Sequence, residues 1–135
     1  MDRKIELKQL LKEAESFYRS LGQISCPYFN GPIVFTSVGF HHLQFSAGRE
    51  RNVNEQILKL RLLKTYISEI LRRSGTVQEY RKLHGISYWG FTALVGNGKL
   101  ERVKVIIRQK GNGKVHFWSV MPAERHKGDE IYLQQ

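Results

Sequence analysis

The chain has 135 residues and a mass of 15.8 kDa, with 41% hydrophobic and 25% charged residues, which is the size and composition of one globular domain. No stretch approaches the roughly 20 apolar residues of a membrane span, and the first ten residues carry five charges. We therefore expect no membrane segment, no signal peptide and a cytoplasmic location. The single cysteine, Cys26, excludes an internal disulfide and a cysteine-based zinc site.

The charge balance is the first indication of function. Lysine and arginine number 22 against 12 acidic residues, which gives a net charge of +10 and a pI near 9.9. Such a balance favours an anionic partner, which is a nucleic acid, an acidic protein or a membrane surface. Of these three, we expect a nucleic acid and no membrane.

The first half of the chain combines helices with one segment that lacks charge. Apolar residues at three- and four-residue steps predict a helix over 4–21, which Gly22 ends. Between Leu21 and Gly48 there is no Asp, Glu, Lys or Arg. The β-type run in this segment predicts a short strand over 33–38, followed by the pair His41 and His42.

The second half predicts two more helices and then a β-meander. A helix over 54–73 has Asn52 or Asn54 as its cap. A third over 77–84 begins with a capping box at 76–79. Two Gly-Asn-Gly-Lys turns separate strands over 86–95, 102–110 and 114–121, and 130–133 can form a short last strand. The predicted fold is a single α+β domain over 1–135, with N-terminal helices packed on one face of an antiparallel meander of about four strands.

The second of these turns decides which side chains share a sheet face. A two-residue loop at 112–113 would pair Arg108 with Phe117. A three-residue loop, with Gly113 in the left-handed conformation, would pair Arg108 with His116 and Ile107 with Phe117. The second register separates apolar from polar side chains better, and burial should select it.

That register places four residues suited to nucleic acid on the open sheet face: Lys104, Arg108, His116 and Trp118. Cations of this kind contact phosphates, and an indole stacks on a base. The alternative interpretation is a solvated polar face.

The histidine pair and the arginines that follow it form a second candidate group. In an extended chain, adjacent residues point to opposite sides, so at most one of His41 and His42 enters a site, and we prefer His42. Arg51 and Arg61 follow, and Arg61 interrupts an apolar run either as a surface residue or as a phosphate ligand.

The candidate residues favour chemistry without a metal or cofactor. No histidines, cysteines or acids have a recognised metal-ligand spacing, and the acids do not cluster in a candidate site. Cleavage of RNA without metal remains possible, because the 2′-hydroxyl of the substrate is the nucleophile. It needs a base, an acid and a cation that stabilises charge on phosphorus.

Three segments, 35–43, 102–108 and 116–120, together with the order of helices and meander, resemble the BECR ribonucleases. This superfamily includes barnase, EndoU, colicin-type tRNases and RelE, and its phage and mobile-element members are the most similar. The resemblance implies a metal-independent endoribonuclease, often a toxin or effector, with its active site on the sheet face away from the helices. Besides RNA, it implies an acidic immunity protein or antitoxin as a partner.

The resemblance also implies roles for individual residues. The acid and the base would be His116 and either His42 or His41. The resemblance does not assign which of the two is the acid and which is the base. The phosphate-stabilising residues would be Lys104 and Arg108. Ser119 falls in a segment that often carries a polar site residue, although our register puts it on the buried face.

Two other classes of function fit the same sequence. One is a non-catalytic module that binds RNA or DNA through the basic face, and the other is a phage accessory or partner-binding protein. Cleavage of RNA in EDTA separates the ribonuclease from both.

Overall fold

The computed structural model describes residues 2–123. Within them the chain forms three α-helices, which are α1 (Arg3–Leu21), α2 (Ser37–Gln44) and α3 (Val53–Arg73), and a short 3₁₀ helix at Pro27–Phe29. The strands are β1 (Gln23–Cys26), β2 (Gly31–Val34), β3 (Phe45–Ser46), β4 (Arg49–Glu50), β5 (Glu79–Leu83), β6 (Ile86–Val95), β7 (Glu101–Lys110) and β8 (His116–Pro122).

The two long helices begin and end where local chemistry requires it. The carboxylate of Asp2 accepts from the Lys4 amide at 2.9 Å at the start of α1, and Gly22 ends that helix with φ +62°. The side chain of Asn52 accepts from the Glu55 amide at 2.8 Å at the start of α3. The predicted helices over 4–21 and 54–73 are therefore confirmed, with Asn52 as the cap.

Among the described residues the main sheet has six strands in the order β1-β2-β8-β7-β6-β5, and β3 and β4 form a separate two-stranded sheet. All pairings in the main sheet are antiparallel except that of β2 with β8, which is parallel and consists of the one pair Val34 and His116. The α+β class is confirmed. The expectation of about four strands in a purely antiparallel meander was wrong, because β1, β2 and β5 extend the sheet at both edges.

The segment predicted as a strand over 33–38 divides between two elements. The strand ends at Val34 and α2 begins at Ser37, so His41 and His42 lie on a helix and not on extended chain. The apolar run resembles a strand locally, but Gly39 allows the backbone to pack as a helix directly against β8. A Cβ atom on Gly39 would lie 2.5 Å from the carbonyl oxygen of Phe117.

The helix predicted over 77–84 was also wrong, since residues 79–83 form edge strand β5. They pair with β6, and His84 and Gly85 form the two-residue loop between Leu83 and Ile86. Both loop residues have positive φ, +51° and +78°, as this tight hairpin requires. A helix begun by the capping-box pattern at 76–79 would have no apolar face to bury. Pairing with β6 therefore determines the conformation of residues 79–83.

The three strands of the meander and their register match the prediction closely. Strand β6 spans the predicted residues, β7 begins one residue earlier than predicted, and β8 begins two residues later and ends one residue later. The pairs Arg108 with His116 and Ile107 with Phe117 are present. The left-handed residue in the turn is Gly111, with φ +52°, in place of the predicted Gly113.

The core lies between α3 and one face of the sheet, and α1 packs beside α3. The fully buried sheet residues include Phe91, Val103, Val105, Ile107, Phe117 and Val120. The helix residues that meet them include Ile57, Leu60, Leu63, Ile67 and Leu71. Neither α1 nor α3 covers the opposite sheet face, where α2 contacts β8. The proposed strand over 130–133 lies outside the described residues.

None of the helices in the described part of the chain combines the length and apolar character needed to cross a membrane.

Candidate functional site

A β-bulge in β8 organises the candidate site. Ile107 is opposite Phe117, whereas the next residue, Ile106, is opposite Ser119, so Trp118 has no partner on β7. A bulge of this kind re-aims a side chain and is common beside functional sites. Here the extra residue carries the indole that the other site residues contact.

Trp118 is held between an imidazole and a guanidinium. The ring of His42, from α2, stacks on it with centroids 3.8 Å apart and an interplanar angle of 15°. The guanidinium carbon of Arg108 lies 3.5 Å from the centre of the indole ring. Both distances are too short for the two groups to share one face, so they cover opposite faces, and the predicted stacking of Trp118 on a base has no free ring face.

Arg108 is the most unusual residue of the group, because its side chain is charged and the residue is only 7% exposed. Its Nε–H donates to Nε2 of His116 at 3.1 Å, and its guanidinium makes the cation–π contact with Trp118. No carboxylate within residues 2–123 forms an ion pair with it. Arginine is almost never this deeply buried without an anionic partner.

His116 is held by hydrogen bonds on both sides of its ring. Because the Arg108 Nε–H can only donate, Nε2 of His116 is the acceptor, and the neutral ring carries its proton on Nδ1. That nitrogen faces the carbonyl oxygen of Lys114 at 3.3 Å. The pKa of His116 is lowered, first by burial and then by Arg108 and Lys110. His116 therefore fixes the direction of the Arg108 side chain.

Arg51 joins α2 to the start of α3 and brings a second guanidinium to the group. Its Nε–H donates to the carbonyl oxygen of His42 at 3.0 Å, and Nη2 lies 3.3 Å from Nε2 of the same histidine. Its Nη1 forms an ion pair with Glu55 at 2.7 Å. Arg51 is thus partly neutralised, unlike Arg108.

Lys59 supplies a third cation from the buried face of α3. It is 5% exposed, and its ammonium donates to Ser119 Oγ at 3.3 Å and to the carbonyl oxygen of Val120 at 3.1 Å. Burial, followed by repulsion from Arg51, lowers the pKa of Lys59 to about 8, while Glu55 acts in the opposite direction. Among the residues described, no carboxylate is within ion-pair distance of its ammonium.

These cations determine the protonation state of His42. Burial, followed by the charges of Arg51, Lys59 and Arg108 and lastly of His41, lowers its pKa to about 4. At neutral pH its ring is uncharged, as a general base must be. We call His42, Arg51, Lys59, Arg108 and His116, around Trp118, the basic cluster.

Four of the sequence-predicted site residues, which are His41, Lys104, Ser119 and Arg61, lie outside the basic cluster or are enclosed beneath it. His41 is exposed and stacks on Phe45, with centroids 4.6 Å apart. Lys104 is four residues along β7 from Arg108, roughly 13 Å away in extended chain, and forms an ion pair with Glu79 at 3.1 Å. Ser119 is 1% exposed beneath Lys59. Of the predicted set, His42, Arg51, Arg108, His116 and Trp118 come together.

Arg61 belongs to a different surface feature, the groove between α1 and α3. We call this the α1–α3 groove; its walls are Ile5, Glu6, Gln9, Leu10, Glu13, Arg61, Lys64 and Thr65. Arg61 contacts Glu6 at 3.3 Å, and Lys64 contacts Glu13 at 2.9 Å. The surface interpretation of Arg61 is therefore the correct one.

Lys59 is the site residue that sequence reasoning missed. Lys59 and Arg61 lie in the same apolar run of the sequence, and only Arg61 was predicted as a site residue. Helical spacing separates the two, because Lys59 precedes Leu62 by three residues and Leu63 by four, and both leucines are buried. A helical projection of 53–73 thus places Lys59 on the buried face.

Within residues 2–123 no three or more His, Cys, Asp or Glu side chains come close enough to hold a metal ion. Compared with known proteins, the chain matches no family model, no curated protein sequence and no solved structure.

Proposed function

We propose that the basic cluster binds an RNA phosphodiester and that the protein is a metal-independent endoribonuclease. The observation that carries the proposal is the burial of Arg108 and Lys59 without a carboxylate partner in the described chain. Leaving a buried charge unpaired costs several kcal/mol in a folded protein. A phosphate from a ligand would provide the missing negative charge.

The cluster also offers the groups that attack by a 2′-hydroxyl needs. A neutral His42 accepts the hydroxyl proton on Nε2, which a substrate hydroxyl reaches by replacing the 3.3 Å contact from Arg51. The 2′-oxygen then bonds to phosphorus, the bond from phosphorus to the 5′-oxygen breaks, and the leaving 5′-oxygen takes a proton from water. Arg108 and Arg51 stabilise the negative charge that develops on the phosphate oxygens. His116 acts as a positioning residue, because its ring holds Arg108 in place.

Bound phosphate would change the basicity of His42. In the free protein, the charges of three cations help to lower its pKa to about 4. A phosphate near these cations offsets their charge and raises the pKa of His42 toward its usual range, which makes the imidazole a stronger base when substrate is present.

The test is cleavage of single-stranded RNA in EDTA by wild type and by two adjacent variants. His42→Ala should lower kcat/KM by about 10²-fold or more, as the loss of a general base does. His41→Ala is the matched control, because His41 is the neighbouring imidazole on the exposed side of α2, and cleavage should stay near wild type. Melting temperatures of all three proteins separate loss of chemistry from loss of fold. Equal activity of both variants would contradict the proposal.

The pH profile tests the role of His42 independently. The base works in its neutral form, so activity falls as pH decreases through its pKa. The acid limb of kcat/KM, which reports the free enzyme, should lie near the value of about 4. The acid limb of kcat, which reports the complex, should lie at higher pH. Coincident limbs would mean that bound phosphate does not act on His42.

A second candidate function is a non-catalytic RNA-binding module. Two observations favour it: both nitrogens of His116 are already engaged, and both faces of Trp118 are covered. Wild-type protein that binds RNA with a steep salt dependence, and cleaves neither total RNA nor tRNA, would select this function. A toxin or effector role, with an acidic inhibitor protein as partner, forms part of the first proposal and is supported by the net charge of +10.

A further inference from the structure

Four side chains form a straight row across the sheet face that lies away from α1 and α3. His116 pairs with Arg108, Arg108 with Tyr88, and Tyr88 with Arg81, across strands β8, β7, β6 and β5. Directly opposed residues of antiparallel strands project to the same side. We call these four residues the outer row. Neighbouring strands are about 4.8 Å apart, so the row is roughly 14 Å long.

Contacts of neighbouring residues confirm which side of the sheet the outer row occupies. Tyr80, next to Arg81, contacts Trp89, and Trp89 packs against Phe29 on the core side. Glu79 contacts Lys104, whose strand neighbours Val103 and Val105 are buried in the core. Arg81 has the same parity along β5 as Glu79, so the row lies opposite the core.

The outer row is bordered on both sides. On one side the ion pair of Lys104 and Glu79 lies over Gly90, where a Cβ atom would be 3.3 Å from Cβ of Glu79. On the other side, toward the hairpin turns, lie Ile86 and Lys110. The outer row therefore begins at the basic cluster, with His116 and Arg108, and ends at the exposed edge strand β5.

Along the outer row, cationic side chains alternate with an aromatic ring. Arg108, a member of the basic cluster, is second in the row after His116, Tyr88 is partly buried in the third position, and Arg81 is exposed at the far end. Within residues 2–123, Arg81 has no ion pair and Tyr88 has no aromatic partner. Alternating phosphate-binding cations and stacking rings are the pattern of single-strand binding surfaces.

We propose that the outer row binds the segment of a single-stranded RNA that flanks the bond held in the basic cluster. A base stacks on Tyr88, and the next phosphate contacts Arg81. A sheet of this width accommodates two or three unpaired nucleotides. Base pairing in a duplex would prevent the base from stacking on the Tyr88 ring, so the outer row selects single strands over duplexes. This inference rests on the proposed function for the identity of the ligand, and it assigns the binding surface and the strandedness of the substrate.

The chain itself supplies matched controls for Arg81 and Tyr88. Lys82 carries the same charge as Arg81 one position along β5, and Tyr80 carries the same ring as Tyr88, but both lie on the other face. Binding is measured by fluorescence anisotropy with a short 2′-O-methyl RNA, which lacks the nucleophile, as single strand and as duplex. Cleavage of an RNA dinucleotide, which is too short to reach Arg81, is measured in parallel.

Tyr88→Ala should weaken single-strand binding by at least about fivefold relative to Tyr80→Ala, and Tyr88→Phe should bind as wild type does. Arg81→Glu should weaken binding more than Lys82→Glu. The slope of log affinity against log salt should fall in magnitude by about 0.7 for Arg81→Ala. Dinucleotide cleavage should be unaffected by the changes at Arg81.

Equal effects of the outer-row variants and their controls would overturn the inference, whether or not the protein cleaves RNA. Binding of the duplex as tight as binding of the single strand would overturn it too. Binding that depends on Arg81 but not on the Tyr88 ring would also overturn it, because that result is expected of a surface that binds an acidic protein. Failure of the proposed function is a separate result, since no RNA would be cut while the binding differences persisted.

Discussion

The basic cluster and the α1–α3 groove use the same types of residue in opposite ways. In the groove, Arg61 and Lys64 each contact a glutamate of α1 near the surface. In the cluster, Arg108 and Lys59 are buried, and no carboxylate of the described chain pairs with them. A cation with an internal partner is satisfied by folding alone. A buried cation without one raises the free energy of the folded state until an anion binds.

The comparison also separates stability from function. Exposed ion pairs such as those in the groove contribute little, about 0–1 kcal/mol each. The buried charges of the cluster lower stability, a cost that natural proteins accept at functional sites. Four predictions follow from the difference, in decreasing order of effect.

The largest expected effect is on RNA cleavage. Arg108→Ala should lower kcat/KM by about 10²–10³-fold, because a preorganised donor to the developing negative charge is lost. Arg61→Ala removes the same group from the groove and should leave cleavage near wild type. Both proteins are assayed in EDTA, with circular dichroism as the check on folding. If Arg61→Ala is as impaired as Arg108→Ala, the two regions do not differ in function.

The second effect is on stability at alkaline pH. Between pH 8 and 10.5 the folded protein has lost the Lys59 proton while the unfolded chain retains it, so the free energy of unfolding rises with pH. The rise attributable to Lys59 is at most about 3 kcal/mol. Denaturant titrations from pH 7.5 to 10 should show a smaller rise for Lys59→Met than for wild type. Lys64→Met, from the groove, should reproduce the wild-type slope, and a steep slope in Lys59→Met would contradict the assignment of the rise to Lys59.

The third effect is stabilisation by a simple anion. Inorganic phosphate at about ten times its Kd should stabilise the wild type by about 1.4 kcal/mol. The effect should disappear in Arg108→Ala and persist in Arg61→Ala, which thermal melts at constant ionic strength would show. Stabilisation that survives in Arg108→Ala would assign the anion to another site.

The smallest effect is expected from breaking an ion pair in the groove. Glu6→Gln removes the acidic partner of Arg61, and it should change the free energy of unfolding by less than about 1 kcal/mol. Urea titration at neutral pH measures it, and RNA cleavage should not change. A loss well above this range would give the groove a structural role comparable to that of the core.

The sequence determined the elements whose signals are local. Helices α1 and α3 have caps and an apolar stripe, and both were predicted. Strands β6 to β8 and the pair Arg108 with His116 followed from two-residue alternation and from the glycine-containing turns, because a slip by one residue would bury the cations and expose the core. The meeting of Arg108 and His116 was thus foreseeable.

The tertiary structure decided the remainder, because those choices depend on distant partners. Strand β5 exists through pairing with β6, and α2 exists because Gly39 lets a helix contact β8. The bulge at Trp118, where the indole lies between His42 and Arg108, shifts the alternation of β8 so that Val120 is buried opposite Val105, although strict alternation from His116 would place Val120 on the other face. The burial of Lys59 likewise depends on α3 lying against Ser119, 60 residues away along the chain. The sequence thus provided the residues of the basic cluster, and long-range packing brought them together.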